Sequence, residues 1–229
     1  MIVRPETWGI VRYDPVYDEF SAEMASDGDL PKIVRPLSAG CLITGKCNLR
    51  CPHCYGNLEA LPKSELSVAE WSAVFRMLVS CGVMRVDISG GEPTIRRDVC
   101  EIIAIAIDLG LNVVLSTNGT LISTPQGFPS QTRFHISLDS GLEDLHESNR
   151  LLPTMRPSHG SFRKATSLIQ SCLEAGHRVR VLTSIGNFNE DLLFELGEKV
   201  AMIGNAIVKP NMEIKAIDMN WNYDSTLAK

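Results

Sequence analysis

Cys47, Cys51 and Cys54 stand at the spacing C-x3-C-x2-C within Cys47-Asn48-Leu49-Arg50-Cys51-Pro52-His53-Cys54-Tyr55. Thiolates hold iron–sulfur cubes, usually four to a cube. Three on one short loop leave one iron of a four-iron, four-sulfur cube open to a substrate or cofactor. A zinc site with His53 as fourth ligand is the competing reading, since zinc takes four tetrahedral ligands. Against it, His53 lies between Cys51 and Cys54, where so tight a loop holds four ligands badly.

Three more stretches combine glycine with small polar or acidic residues: Gly90-Gly91-Glu92-Pro93, Ser116-Thr117-Asn118-Gly119 and Ser137-Leu138-Asp139-Ser140. Each follows a run that reads as a β-strand. Strands are expected over 41–44, 84–89, 112–116, 133–139, 178–185 and from 206 to 210 or 214. Between them lie helical patterns. Ser67 and Glu70 form a capping box, and Val68, Trp71, Val74, Phe75, Leu78 and Val79 follow at helical spacing up to Gly82. Further helices are expected over 98–109 and 161–175, and one capped by Asn189 carries Leu192, Leu196, Val200 and Ile203. The connection 120–132 holds Pro125, Gly127 and Pro129 and supports at most a short helix.

Strands joined by helical crossovers build a parallel sheet. The fold class expected is α/β, a partial (β/α)6 TIM-type barrel, three-quarters of an eight-unit barrel. In such folds the C-terminal strand ends converge on the active-site face, so the four unusual stretches are expected to meet. Strand alternation points Ser137 and Asp139 the same way, toward the barrel interior if Ile136 and Leu138 face the helices. Before the barrel, 8–13 and 19–24 read as a small hairpin around the turn 14–18, followed by a polar linker. The expected organisation is 1–35 hairpin and linker, 36–214 barrel, and 215–229 polar tail. The hairpin either covers one end of the barrel or offers a peptide a docking edge by strand addition.

The 229 residues carry a formal charge of -5, which argues against a nucleic-acid partner held by a basic face. No apolar run approaches the roughly 18 residues of a membrane span, and no signal-peptide pattern follows Met1. No membrane partner is expected, and the expected location is the cytoplasm. The seven cysteines do not form a dense, even set of the secreted kind. Cys81, Cys100 and Cys172 read as small core or helix residues. Cys41 reads as part of the barrel wall, with a fourth-ligand role as the alternative.

The cysteine motif followed by Gly90-Gly91-Glu92-Pro93 resembles the radical S-adenosylmethionine (SAM) enzymes. Its wording is closest to the branch of sulfatase maturases and peptide-modifying, SPASM-type enzymes, over about residues 36–214. The resemblance implies a [4Fe-4S] cluster on Cys47, Cys51 and Cys54, with SAM bound to the open iron through its amino and carboxylate groups. Reductive cleavage of SAM would then release a 5′-deoxyadenosyl radical that abstracts hydrogen from a substrate. It implies that Tyr55 lies near the adenine or the cluster and that the carbonyls of Gly90 and Gly91 receive the SAM ammonium. Glu92 would assist or brace that turn. Ser116, Thr117 and Asn118 would lie near the ribose, and Ser137 and Asp139 near the SAM carboxylate and ribose. Arg150, four residues after His146 in the following loop, would pair with the SAM carboxylate. Lys46 and Arg50 would offset the cluster's negative charge.

The implied partners are SAM, a peptide, protein or cofactor-precursor substrate, and an external flavodoxin- or ferredoxin-like electron donor. The branch's cysteine-rich C-terminal extension has no counterpart in this sequence, which fits a single-cluster enzyme or a shortened chain. A cluster-bearing scaffold or electron-transfer partner without catalysis is the alternative function, and a zinc-stabilised binding domain a third.

Overall fold

The computed structural model describes residues 1–6, 8–24, 35–54, 64–204 and 207–212, the last six by backbone alone. The linker 25–34, Tyr55 and the tail from 213 onward lie outside the described residues.

Six strands form one parallel sheet in chain order: β4 (Ser38–Thr44), β5 (Arg85–Gly90), β6 (Asn112–Thr117), β7 (Arg133–Ser137), β8 (Val179–Ile185) and β9 (Ile207–Met212). Four helices cover it: α1 (Val68–Ser80), α2 (Val99–Asp108), α4 (Ser161–Glu174) and α5 (Leu193–Ile203). The capping box forms as the sequence implies: Ser67 Oγ accepts from Glu70 N at 3.3 Å, and Glu70 Oε2 accepts from Ser67 N at 2.8 Å. Trp71 and Phe75 then fall on the buried face of α1. The connection after β6 forms turns and no helix, as its prolines dictate.

Strand periodicity divides the sheet into two chemically different faces. Cys41, Ile88, Leu115, Phe134 and Val179 are register partners across five strands and belong to the apolar core under the helices. Cys41 thus packs in the wall and Cys172 in the core, whereas Cys81 is exposed at the end of α1. The alternate positions (Arg85, Asp87 and Ser89; Val114 and Ser116; Arg133, His135 and Ser137; Arg180 and Leu182) face the barrel interior. That face is charged toward the strand starts and hydroxyl-bearing toward the strand ends.

The N-terminal unit differs from the expected hairpin. It is a three-stranded antiparallel meander, with β1 (Ile2–Glu6) paired along its length to β2 (Gly9–Asp14), and β2 to β3 (Glu19–Met24). Arg4-Pro5 obscured β1, yet proline is tolerated on an edge strand, where its missing N–H breaks no ladder. The β2–β3 turn dips into the strand starts of the barrel. Asp18 Oδ1 accepts from Tyr13 Oη at 2.6 Å and Arg85 Nη1 at 2.9 Å, and Oδ2 accepts from Arg180 Nη1 at 3.1 Å. Arg133 and Arg178 donate to the Pro15 carbonyl, and Arg180 to that of Tyr17. The meander therefore plugs the N-terminal end of the barrel.

Short helix α3 (Glu143–Asn149) stands where a loop is expected and buries His146 and Glu147. Asn189 precedes α5 but makes no side-chain cap. Its amide instead donates to the carbonyls of Asp139 (2.6 Å) and Ser184 (2.9 Å), joining the ends of β7 and β8.

Candidate active site

The excursion that carries the cysteines leaves the barrel at β4 and returns before α1, and both of its ends are clasped. Arg96 donates to the carbonyls of Ile43 and Leu66, each at 2.9 Å, while Asp98 holds its guanidinium in place. Thr44 Oγ1 donates to Glu65 at 2.6 Å, and Lys46 pairs with the same carboxylate at 3.3 Å. Arg96 was not among the residues marked from sequence; nothing distinguishes it locally from Arg97.

The loop then lies on the end of β5. Gly91 N donates to Thr44 O and Glu92 N to Lys46 O, both at 2.8 Å. A Cβ on Gly90 would lie 2.3 Å from Thr44 O, and one on Gly91 would lie 2.2 Å from Lys46 O and 2.9 Å from Cys47 Cβ. The two glycines are required by the close approach of the cysteine loop itself.

Glu92 is buried, and its carboxylate accepts four bonds. Thr94 N (3.1 Å), Thr94 Oγ1 and Thr117 Oγ1 (2.7 Å) share Oε1, and Asn118 N (2.7 Å) takes Oε2. Burial pushes its pKa up in spite of these donors. Both oxygens are occupied by the protein, so Glu92 braces the ends of β5 and β6. Asn118 is similarly engaged: Nδ2 donates to Asn48 Oδ1 at 3.0 Å, and Oδ1 accepts from Thr120. Asn48 belongs to the cysteine loop, so the third stretch grips the first. Sequence reasoning overlooked Thr94 as a partner and gave Thr117 no bracing role.

The fourth stretch is organised around a buried ion pair. Arg150 Nε and Nη2 donate to Asp139 Oδ2 (2.8 Å) and Oδ1 (3.0 Å), a two-pronged contact that suits guanidinium and carboxylate. Ser184 N donates to Oδ1 at 3.1 Å. Burial raises the Asp139 pKa, but the Arg150 charge and its hydrogen bonds outweigh burial and hold the carboxyl below the usual range. Arg150 was expected to face the SAM carboxylate; here its fork is on Asp139.

His146 Nδ1 accepts from Asp139 N at 3.2 Å, and burial together with the neighbouring Arg150 charge lowers its pKa to about 3. It is a neutral imidazole throughout the physiological range. His53, from within the cysteine loop, brings Nε2 to 3.6 Å from Asp139 Oδ2 and stacks on Phe188 at 6.1 Å between ring centroids. By sequence His53 reads only as a possible zinc ligand. Its position joins the cysteine loop to the Asp139–Arg150 pair. Ser116 and Ser137 are half-buried on the interior face beneath these strand ends.

The donor set fits a cluster. Burial pushes Cys47 up, and Cys51 up to about 11. Thiols so placed need a cationic centre to become thiolates. Among the described residues, no three His, Cys, Asp or Glu side chains converge as one metal ion requires. A cube takes each thiolate on a different iron and needs them apart.

Bare glycines lie under a three-cysteine loop at the C-terminal ends of a six-stranded partial barrel, the arrangement that the sequence leads one to expect of an iron–sulfur enzyme. A family model, the Radical SAM superfamily, matches residues 41–195, and the chain belongs to that family. Its members use a [4Fe-4S] cluster and SAM, and the relatives matched here are enzymes. The Fe-coproporphyrin III synthase of Methanosarcina barkeri is 33% identical over 148 residues, 64% of this chain and 36% of the relative. The antilisterial bacteriocin subtilosin biosynthesis protein AlbA of Bacillus subtilis is 29% identical over 196 residues, 82% of this chain and 40% of the relative. Among solved structures, Streptococcus suis SuiB bound to its precursor peptide SuiA superposes with a TM-score of 0.71 at 14% identity, over 92% of this chain and 61% of that one. The chain spans less than half the length of the curated relatives it matches. No described helix is long and apolar enough to cross a membrane.

Proposed function

We propose that this chain carries out reductive cleavage of SAM and directs the resulting radical to a peptide. The observation that carries the reading is the seating of the cysteine loop on Gly90, Gly91 and Glu92, with Asp139 and Arg150 beside it. When bound, the cluster and SAM supply an electron and a 5′-deoxyadenosyl radical that takes hydrogen from the substrate.

Cys47, Cys51 and Cys54 would hold the cluster. Arg96 and Glu65 fix the two ends of the loop that presents it. Glu92 and Asn118 set the spacing of the β5 and β6 ends, and so the floor on which a ligand lies. Arg150 and Asp139 hold one another in place as fixed charges in a dry setting, where electrostatics act strongly. The carbonyls of Gly90 and Gly91 and the hydroxyls of Ser116 and Ser137 are the groups proposed for SAM, with Tyr55 as a further contact. A peptide substrate is supported by the likeness to AlbA and to SuiB with its peptide. A cofactor precursor is the second reading, supported by the likeness to the haem-forming relatives.

The test is anaerobic reconstitution with iron, sulfide, SAM and dithionite, followed by a 5′-deoxyadenosine assay with and without candidate peptides or porphyrins. A full cluster that never cleaves SAM under any of these conditions would leave the chain as a scaffold. Stimulation by porphyrin and not by peptide would move the proposal to a cofactor precursor.

A further inference from the structure

Asn189 is 2% exposed, and both polar atoms of its side chain are committed. Nδ2 donates to the carbonyls of Asp139 at 2.6 Å and Ser184 at 2.9 Å, and Oδ1 accepts from Gly186 N at 2.9 Å. Two carbonyls and one N–H fix which end of the amide is nitrogen. Asn189 N closes the same turn by donating to Gly186 O at 3.0 Å. Few side chains fit such a set of partners. An aspartate here would set its carboxylate against two carbonyl oxygens, because it has no donor to offer.

Both sides of this turn lead to His53. On one side stands Asp139. Its N–H goes to His146 Nδ1 (3.2 Å), its carboxylate takes Arg150 and Ser184 N, and its carbonyl takes Asn189. The carboxylate so held lies 3.6 Å from His53 Nε2. On the other side stands Phe188, the residue before Asn189. Its half-buried ring stacks on that of His53 at 21° between planes. The His53 side chain is 7% exposed. It is gripped between a carboxylate and a ring whose places are both set by one amide.

Several other anchors act on the first half of the cysteine loop. Thr44 O and Lys46 O are tied to Gly91 N and Glu92 N, Asn48 to Asn118 and Thr120, and Arg50 N to Leu151 O at 2.7 Å. His53 lies past all of these, between Cys51 and Cys54. We infer that Asn189 is a positioning residue for the cysteine loop, acting through Asp139 and Phe188 on His53 and so on the limb that carries Cys51 and Cys54. What that limb carries rests on the radical SAM reading. Groups that orient ligands from behind govern how firmly a metal centre is held.

The test follows iron release from the reconstituted protein to a chromogenic chelator, beside the low-temperature EPR spectrum of the reduced cluster. Asn189→Ala should release iron about tenfold faster than wild type and broaden the EPR lines through a spread of loop positions. Phe188→Ala leaves the amide in place and should speed release less, and Phe188→Tyr should restore the wild-type rate. The double variant should release iron more slowly than the product of the two separate effects implies, since both act on His53. Asn112→Ala is the control. Its amide donates to the Met84 carbonyl at 3.1 Å at the opposite ends of the strands, so its loss weakens the fold away from the loop. Iron release no faster in Asn189→Ala than in Asn112→Ala would overturn the assignment. Asn189→Ser, which keeps one short donor, replaces the alanine variant if that does not fold. If wild type takes up no iron and sulfide, the radical SAM reading falls. Hydrogen exchange of residues 49–54 in the cluster-free protein then decides the positioning role: faster exchange in Asn189→Ala than in Asn112→Ala supports it, and equal exchange overturns it.

Discussion

At the N-terminal ends of the strands, Asp18 is buried among Tyr13, Arg85 and Arg180; at the C-terminal ends, Asp139 is buried with Arg150, Ser184 and His53. The chemistry is nearly the same: a carboxylate taken out of water and compensated by guanidinium. The partners differ. Around Asp18 they come from the meander and the strand starts, so that network ties an appendage to the sheet. Around Asp139 they are His53 of the cysteine loop, Arg150 after α3 and Ser184 of β8, so the network ties the cysteine loop to the ends of two strands. In barrels of this kind the lower end concerns stability and the upper end concerns catalysis. Here one motif serves both ends, and the source of its partners separates the two roles.

Four substitutions probe that separation. Cys51→Ala should remove the cluster and all 5′-deoxyadenosine formation, with the urea midpoint of the cluster-free protein nearly unmoved. Iron and sulfide analysis checks it, and a variant retaining the full cluster would show that the ligand set is wrong. Asp18→Ala removes the carboxylate shared by Tyr13, Arg85 and Arg180, while Arg85 keeps Asp87 at 2.6 Å and Arg180 keeps the Tyr17 carbonyl, and should cost about 1–3 kcal/mol of stability. SAM affinity of the folded fraction should stay within twofold, and a large loss there would erase the distinction between the two ends. Glu92→Gln exchanges an acceptor oxygen for an NH2 that faces a donor. It should cost about 1–3 kcal/mol and weaken SAM binding as well, measured by denaturation and calorimetry on the same sample.

The smallest effect concerns pH. His146 has its pKa lowered to about 3 in the fold, against 6.5 for the ordinary side chain. Between those values the unfolded chain binds a proton that the folded chain does not, so stability falls on acidification by up to about 1.4 kcal/mol per pH unit. His146→Gln should lose that component, so its stability should fall less than that of wild type from pH 7 to pH 5. Parallel curves would show that His146 is not kept neutral.

What was legible in the sequence was local. Ser67 and Glu70 announced a helix start because the capping bonds span three residues. The spacing of Cys47, Cys51 and Cys54 pointed to the family because it lies on one loop, and alternating strands and helices announced the parallel sheet. Less legible were contacts between distant segments. By sequence Asn189 reads as a helix cap, yet its amide binds the Asp139 carbonyl 50 positions earlier. Arg150 was assigned to a ligand carboxylate, and its fork is on the chain's own Asp139. Gly90 and Gly91 stand out in the sequence as a place for a ligand's close approach; in the structure the neighbour they make room for is the cysteine loop. Strand β1 went unseen because Arg4-Pro5 has no strand signature; its place follows from pairing with β2 and from Arg4 reaching Pro36 O and Gly82 O.

The four donors on Glu92 also have an entropic consequence. Strand ends joined only by a ligand would lose freedom when that ligand arrived, and the loss would weaken binding. With Thr94, Thr117 and Asn118 already fixed on one buried carboxylate, the ordering is complete at folding. If SAM lies there as proposed, the freedom lost on its binding falls on the incoming molecule and on the rim rather than on these strand ends.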